Sequence, residues 1–179
     1  GSLHDSLLIT TAAAVAVYRA VEQICGIQLD IKWVNDLFYH GRKVCGILTE
    51  AVTDFESGNI DFVVVGIGLN LYQDSDTLPT ELQKIAGALY TDREAADTAD
   101  RNRLAAVIVN ELRKETRDLK LSPDYISHNM IPGHEITITD GKSSRKAFAL
   151  EICQDGRLKV REENGEETVL AFGEVSVSV

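Results

Sequence analysis

Residues 5–26, DSLLITTAAAVAVYRAVEQICG, constrain most strongly what this chain can become. The interior is apolar and alanine-rich, Asp5 or Ser6 offers a cap, and Gly26 stands just past the end, so the run predicts a buried helix of about five turns. Such a helix is core scaffold, and the rest of the chain must pack around it. Beyond it the pattern changes: IQLDIKWV alternates apolar and polar residues as a strand does. KVCGILTEAV and IDFVVVGIGLNL read as two further strands, paired as a hairpin through TDFESGN. DSDTLPTELQKIAGALY predicts a short helix. DRNRLAAVIVNELRKETRDL predicts a long one, with Leu104, Val107, Ile108, Leu112 and Leu119 at roughly helical spacing.

After SPDYISHNMIPG the texture turns to short strands and tight turns, which places a domain boundary near Pro132, with residues 1–131 and 132–179 on either side. Asp140-Gly141, Asp155-Gly156 and Asn164-Gly165 are dipeptides typical of two-residue hairpins and predict a small antiparallel barrel. Nothing in it supplies an obvious nucleophile or metal cluster, so it reads as a packing or docking module. A chain of 179 residues suits one medium domain, or one of roughly 130 residues with a small second one.

With 44% hydrophobic and 26% charged residues the composition is that of an ordinary soluble globular protein. We expect no apolar stretch long enough to cross a bilayer, no signal peptide, no membrane partner and a cytoplasmic location. A net charge of -10 and a pI near 4.8 work against a polyanionic partner such as DNA, which needs a basic surface. Cys25, Cys45 and Cys153 are odd in number and far apart, which fits reduced, buried thiols rather than a disulfide framework. Gly1-Ser2 looks like the remnant of a cleaved tag.

Polar chemistry concentrates in IKWVNDLFYHGRKVCGILTEA, residues 31–51. Lys32 ends a predicted strand beside Trp33, where an ammonium could be held against a carbonyl or phosphate oxygen; an isolated strand-end lysine is more often solvent-facing. Asn35-Asp36 is in itself a turn dipeptide, and a second basic pair follows at Arg42-Lys43. In VVVGIGLN, Gly66 and Gly68 alternate along a strand and remove side chains from one face, which can then accept a flat ligand; bulges and close packing produce the same pattern. Asn70 shares their parity, and its carboxamide can donate and accept at once, as an adenine edge requires. The third glycine of a dinucleotide-binding fingerprint is missing.

Taken together, KWVND, GIL and GIGLN, in this order and spacing, resemble the catalytic domain of biotin protein ligases (biotin-[acetyl-CoA-carboxylase] ligases), and the tail DGRLKVREENGEETVLAFGEVSV is similar to that family's SH3-like C-terminal domain. The resemblance covers essentially the whole chain. It implies an α+β fold, a mixed or antiparallel sheet with packed helices of the class II synthetase-like kind, followed by a small SH3-like β-barrel. It also implies a two-step reaction: biotin and MgATP form biotinyl-5'-AMP, and the biotinyl group passes to a lysine of a carboxylase's biotin carboxyl carrier domain.

On this resemblance Lys32 is the catalytic lysine, reaching the biotin carboxylate and the α-phosphate. Gly66 and Gly68 form the floor beneath biotin, Ile67 packs near the adenine, and Asn70 reads its edge. Trp33, Asn35 and Asp36 shape the lysine loop, while Gly46, with Ile47 and Leu48, supports the site from the next strand. Mg²⁺ would enter with ATP, with no carboxylate ligand assigned. Val34 stands where the family carries proline, and Cys45 at a small-residue position. The family's Gly-Arg-Gly-Arg-x-Gly-Arg segment is not found in the chain, nor is the N-terminal winged helix of bifunctional members, so the chain is expected to begin partway into the ligase domain and to be weakly active or inactive. A homodimer through side-by-side sheets is implied as well. A lipoate-type ligase and a naturally truncated, non-catalytic binding protein are the competing readings.

Overall fold

The structure, a computed structural model, describes residues 3–53, 60–74, 78–140 and 143–177. Helix α1, Leu3–Cys25, begins upstream of the expected cap, so Asp5 lies within its first turn, where a carboxylate favours the positive end of the helix dipole. Gly26 follows in the left-handed conformation, φ +68°, which glycine adopts without a Cβ penalty. By length and composition alone Asp5–Cys25, mean hydropathy 1.3, could cross a membrane, which corrects the expectation that no stretch qualifies; 67% of it is buried inside the fold, as suits a core helix. Val15, Val17 and Val21 are fully buried, each side chain contributing roughly 1.5–3 kcal/mol relative to exposure.

Four antiparallel strands lie against α1 in the order β1 (Asp30–Lys32), β2 (Asp36–Tyr39), β3 (Arg42–Thr53) and β4 (Ile60–Leu69). The expected β3–β4 hairpin is present, with Cys45 opposite Leu69 through Val52 opposite Phe62, while its connection lies outside the described residues. Thr10 Oγ1 joins α1 to β3 by a 2.8 Å hydrogen bond with Thr49 Oγ1. Of the predicted short helix only α2, Thr80–Gln83, forms, and α3, Arg93–Thr98, is an element the sequence pattern did not announce. The long helix, α4, spans Arg101–Glu115, its start fixed by the Asp100 carboxylate accepting from Arg103 N at 2.9 Å. Leu119 thus falls beyond the helix, although it still packs on the core.

Arg19 interrupts the apolar surface of α1 and is satisfied by carboxylates from two later helices. Its Nη1 lies 2.6 Å from Glu115 and 3.4 Å from Glu111 on α4, and its Nε 2.7 Å from Asp124 on α5, Pro123–Ser127.

A second antiparallel sheet contains β5 (Glu135–Asp140), β6 (Ser143–Ile152), β7 (Leu158–Glu162), β8 (Glu167–Leu170) and β9 (Glu174–Val177), ordered β8-β7-β6-β5-β9. Its buried residues, among them Ile136, Ile138, Leu158 and Val160, are continuous with the core around α1. Two of the predicted two-residue hairpins are three-residue loops instead. Cys153 N donates to Arg157 O and Gly156 N to Cys153 O, both at 2.8 Å, around Gln154-Asp155-Gly156; Glu162, Gly165 and Glu166 repeat the pattern. Gly156 and Gly165, at φ +81° and +85°, take the left-handed place that closes such a loop. The Asp140-Gly141 turn extends outside the described residues.

Candidate functional site: a glycine-floored groove on the outer face of the first sheet

Strand register assigns the two faces of the first sheet. Ile31 opposes Leu37, Leu37 opposes Cys45, and Ile47 opposes Ile67, on the side packed against α1. Lys32 opposes Asp36, Asp36 opposes Gly46, Gly46 opposes Gly68, and Leu48 opposes Gly66, on the outer side. Directly paired residues share a face, so a lysine, an aspartate and three glycines converge outside. The result is an open groove of about 530 Å³ lined by Asn35, Asp36, Lys43, Gly46, Ile47, Leu48, Gly66, Ile67 and Gly68.

At Gly66 and Gly68 the floor is bare for reasons that internal packing does not supply. A Cβ at Gly66 would come no nearer than 3.8 Å to Leu48 O, and one at Gly68 would lie 3.8 Å from Gly46 O, both ordinary contacts. Gly46 differs: a Cβ there would meet Lys43 Cε at 3.2 Å and Nζ at 3.3 Å. Its missing side chain lets Lys43 lie across the strand and place Nζ 2.6 Å from Asp36 Oδ1.

Lys43 occupies the groove because β3 is irregular. In a regular strand a residue three positions from Gly46 points to the opposite face. The register shifts between Leu37 and Phe38, which pair with Cys45 and Lys43, leaving Val44 as an extra residue. Val44 and Cys45 are consequently both buried, and Lys43 turns outward onto the face of Asp36 and Gly46. Its backbone is held on the flank that β4 does not reach, where Lys43 N donates to Ile85 O and Gly87 N to Lys43 O, each at 2.8 Å.

Lys32 shares the outer face but does not line the groove; its ammonium lies 5.5 Å from the centroid of the Phe38 ring, a cation–π contact. The cation at the floor is Lys43, which sequence reasoning passed over in the basic pair Arg42-Lys43. Ile67 borders the groove, but its register with Ile47 and its packing turn the side chain toward the core. Asn70 stands apart from the floor, in a shallow pocket with Leu69, Leu71, Tyr72, Arg93, Asp97 and Arg101. Its Nδ2 donates 3.0 Å to Gly87 O, so part of the carboxamide is already engaged.

Residues 33–35 are clamped from several sides, with a cis peptide bond between Trp33 and Val34. Asn35 Nδ2 donates 2.7 Å to Ile47 O, Ile47 N donates 2.9 Å to Asn35 O, and Tyr125 Oη donates 2.9 Å to Val34 O. Burial, reinforced by the nearby Asp36 carboxylate and opposed by Lys43, pushes the Cys45 thiol up to about 12, so it stays protonated beneath the floor. Among the described residues no group of three His, Cys, Asp or Glu could hold a metal ion.

Residues 2–70 match the model of the biotin/lipoate A/B protein ligase family. Within it, the chain is biotin protein ligase-like. It is 38% identical over 130 residues to the bifunctional ligase/repressor BirA of Bacillus spizizenii, covering 73% of this chain and 37% of that protein. Against the biotin-[acetyl-CoA-carboxylase] ligase of Mycobacterium tuberculosis it is 28% identical over 176 residues, covering 93% and 61%. The chain thus spans less than two thirds of the length of each of these relatives. The fold matches the apo biotin protein ligase of Aquifex aeolicus with a TM-score of 0.71 at 22% identity, over 96% of this chain and 76% of that one. The Aquifex aeolicus protein in complex with biotin and ATP matches with a TM-score of 0.70 at the same identity, over 96% and 72%.

Proposed function

We propose that the outer-face groove is the acyl-adenylate site of a biotin protein ligase, which activates biotin with ATP to biotinyl-5'-AMP and passes the biotinyl group to a lysine of a biotin carboxyl carrier domain. The observation that carries this reading is Lys43, held by Asp36 across Gly46 beside two further glycines, Gly66 and Gly68, whose missing side chains the chain's own packing does not require. The names of its relatives, including a ligase in complex with biotin and ATP, supply the substrate class.

In the first step a biotin carboxylate oxygen attacks the α-phosphorus of ATP and pyrophosphate leaves. Lys43, at the floor, is the group we assign to the negative charge that gathers on the carboxylate and α-phosphate, since a cation placed beforehand is most effective where charge develops in the transition state. Its ion pair is 40% exposed on the lysine side and 18% on the aspartate side. Such a pair adds at most about 1 kcal/mol to stability, which fits a role in placement. In the second step the neutral amine of a carrier lysine attacks the biotinyl carbonyl carbon, AMP departs with its electron pair, and the amine loses its proton.

Gly46, Gly66 and Gly68 form the floor, Asn35 and Asp36 set the wall that holds Lys43, and Lys32 adds a second positive charge at the margin. Asn70, with its carboxamide oxygen and remaining N–H, takes the adenine edge from the adjoining pocket. Mg²⁺ arrives with ATP on its phosphates. Residues 132–179 form the smaller C-terminal domain, and two copies associate side by side.

Calorimetric titration with a non-hydrolysable biotinyl-adenylate analogue tests the reading. Micromolar binding, weakened by Lys43→Ala and by Asn70→Ala, supports it; no binding, or binding indifferent to Lys43, overturns it. Preference for the lipoyl analogue would transfer the site to a lipoate-type ligase, and binding without transfer to a carrier domain would make it a non-catalytic binder.

A further inference from the structure

The two sheets meet at a buried polar contact. Trp33 is 3% exposed, and its indole Nε1–H donates 2.9 Å to the carbonyl oxygen of Gly156 in the β6–β7 loop. That loop is seated on α1: a Cβ at Gly156 would lie 3.3 Å from Leu7 Cγ and 3.5 Å from Thr11 Cγ2, and φ there is +81°. Only glycine takes this conformation without strain, so the position of the carbonyl is fixed from behind.

From Trp33 a short series of contacts reaches the groove. Val34 O accepts from Tyr125, Asn35 is bonded twice to Ile47, and Asp36 holds Lys43 Nζ at 2.6 Å. Four consecutive residues are thus tied to the β6–β7 loop, α5 and β3, and among these ties the one to the second sheet is made by the indole.

We propose that Trp33 is a positioning residue, through which the β6–β7 loop of the second sheet sets where Lys43 lies over the glycine floor. The second sheet is then part of the site although none of its residues lines the groove. The functional consequence rests on reading the groove as the adenylate site; the mechanical coupling does not.

Two substitutions test it on the full chain. Trp33→Phe keeps a ring and removes the donor, while Gly156→Ala keeps the carbonyl and displaces it. Some loss of stability follows from any unpaired buried carbonyl, so the deciding readout is the side-chain ¹³Cε and ¹⁵Nζ resonances of Lys43 in the folded protein. We expect both variants to shift them toward their values in Asp36→Asn, with those of Lys120 and Lys146 unmoved. For the biotinyl-adenylate analogue we expect the Kd to rise about tenfold in Trp33→Phe, with no further rise when Trp33→Phe is added to Lys43→Ala. Lys43 resonances that stay at their wild-type positions in Trp33→Phe overturn the proposal, whether or not Gly156→Ala folds. Failure of the wild-type chain to bind the analogue counts against the functional reading of the groove alone, since the resonances still decide the coupling.

Discussion

On the inner face of the first sheet Ile31, Leu37, Cys45 and Ile47 are at most 2% exposed, whereas on the outer face of the same strands three positions are glycine and Leu48 is 61% exposed. Inner-face side chains fill space against α1 at the density of a protein interior. At Gly66 and Gly68 the outer face leaves space that no part of the described chain fills, while Lys43 lies over Gly46 in an ion pair with Asp36 that contributes little to folding. Within one sheet, then, residue size on one face answers to stability, while its absence at Gly66 and Gly68 on the other is not required by the packing of the described chain.

Four experiments bear on that contrast. The largest effect belongs to the inner face: Leu37→Ala should cost about 2–5 kcal/mol in urea unfolding, as large-to-small core substitutions do, and a smaller loss would mean that this face is less tightly packed than its burial implies. Next comes Lys43→Ala, expected to reduce biotin-dependent pyrophosphate exchange about 10²–10³-fold in a protein that carries the activity, while changing stability by less than about 1 kcal/mol. Equal effects on rate and stability would erase the distinction between the faces.

Gly66→Val should leave the unfolding free energy within about 0.5 kcal/mol, as surface substitutions usually do, yet weaken binding of the biotinyl-adenylate analogue about tenfold by filling the floor. Calorimetry and denaturation on the same preparation would separate the two. The last effect is confined to alkaline pH. The Cys45 thiol is raised from 9.0 to about 12 in the folded chain, so above pH 9 the unfolded chain releases a proton that the folded one keeps. Stability from this group is therefore intact below about pH 9 and declines toward pH 12, by up to about 1.4 kcal/mol per unit. Cys45→Ala should flatten that part of the pH–stability curve.

Much of the architecture was legible because local rules and tertiary demands agree. An alanine-rich apolar run bounded by Gly26 is α1, and alternation through GIL and GIGL gives β3 and β4 in register. The glycine floor followed from period-2 counting, which holds wherever a strand is regular. Counting failed where a second strand intervenes: no local signal in GRKVCG says that β2 pairs Phe38 with Lys43 and skips Val44. The lysine expected in the groove was therefore Lys32, and the one that lines it is Lys43. Asn70 follows the end of β4 at Leu69 and lies in the adjoining pocket rather than among the residues lining the groove. The three-residue loops at Gly156 and Gly165 escaped the dipeptide rule because Asp-Gly and Asn-Gly serve equally as the last two residues of a longer turn.

The extra residue in β3 also matters for anyone moving this groove into another scaffold. A designer who copied Lys43, Asp36 and the glycines onto an ideal hairpin would reproduce every visible functional group and bury the lysine. Val44, apolar, fully hidden and chemically idle, is the residue that would have to travel with them, together with a host strand able to accept one position too many.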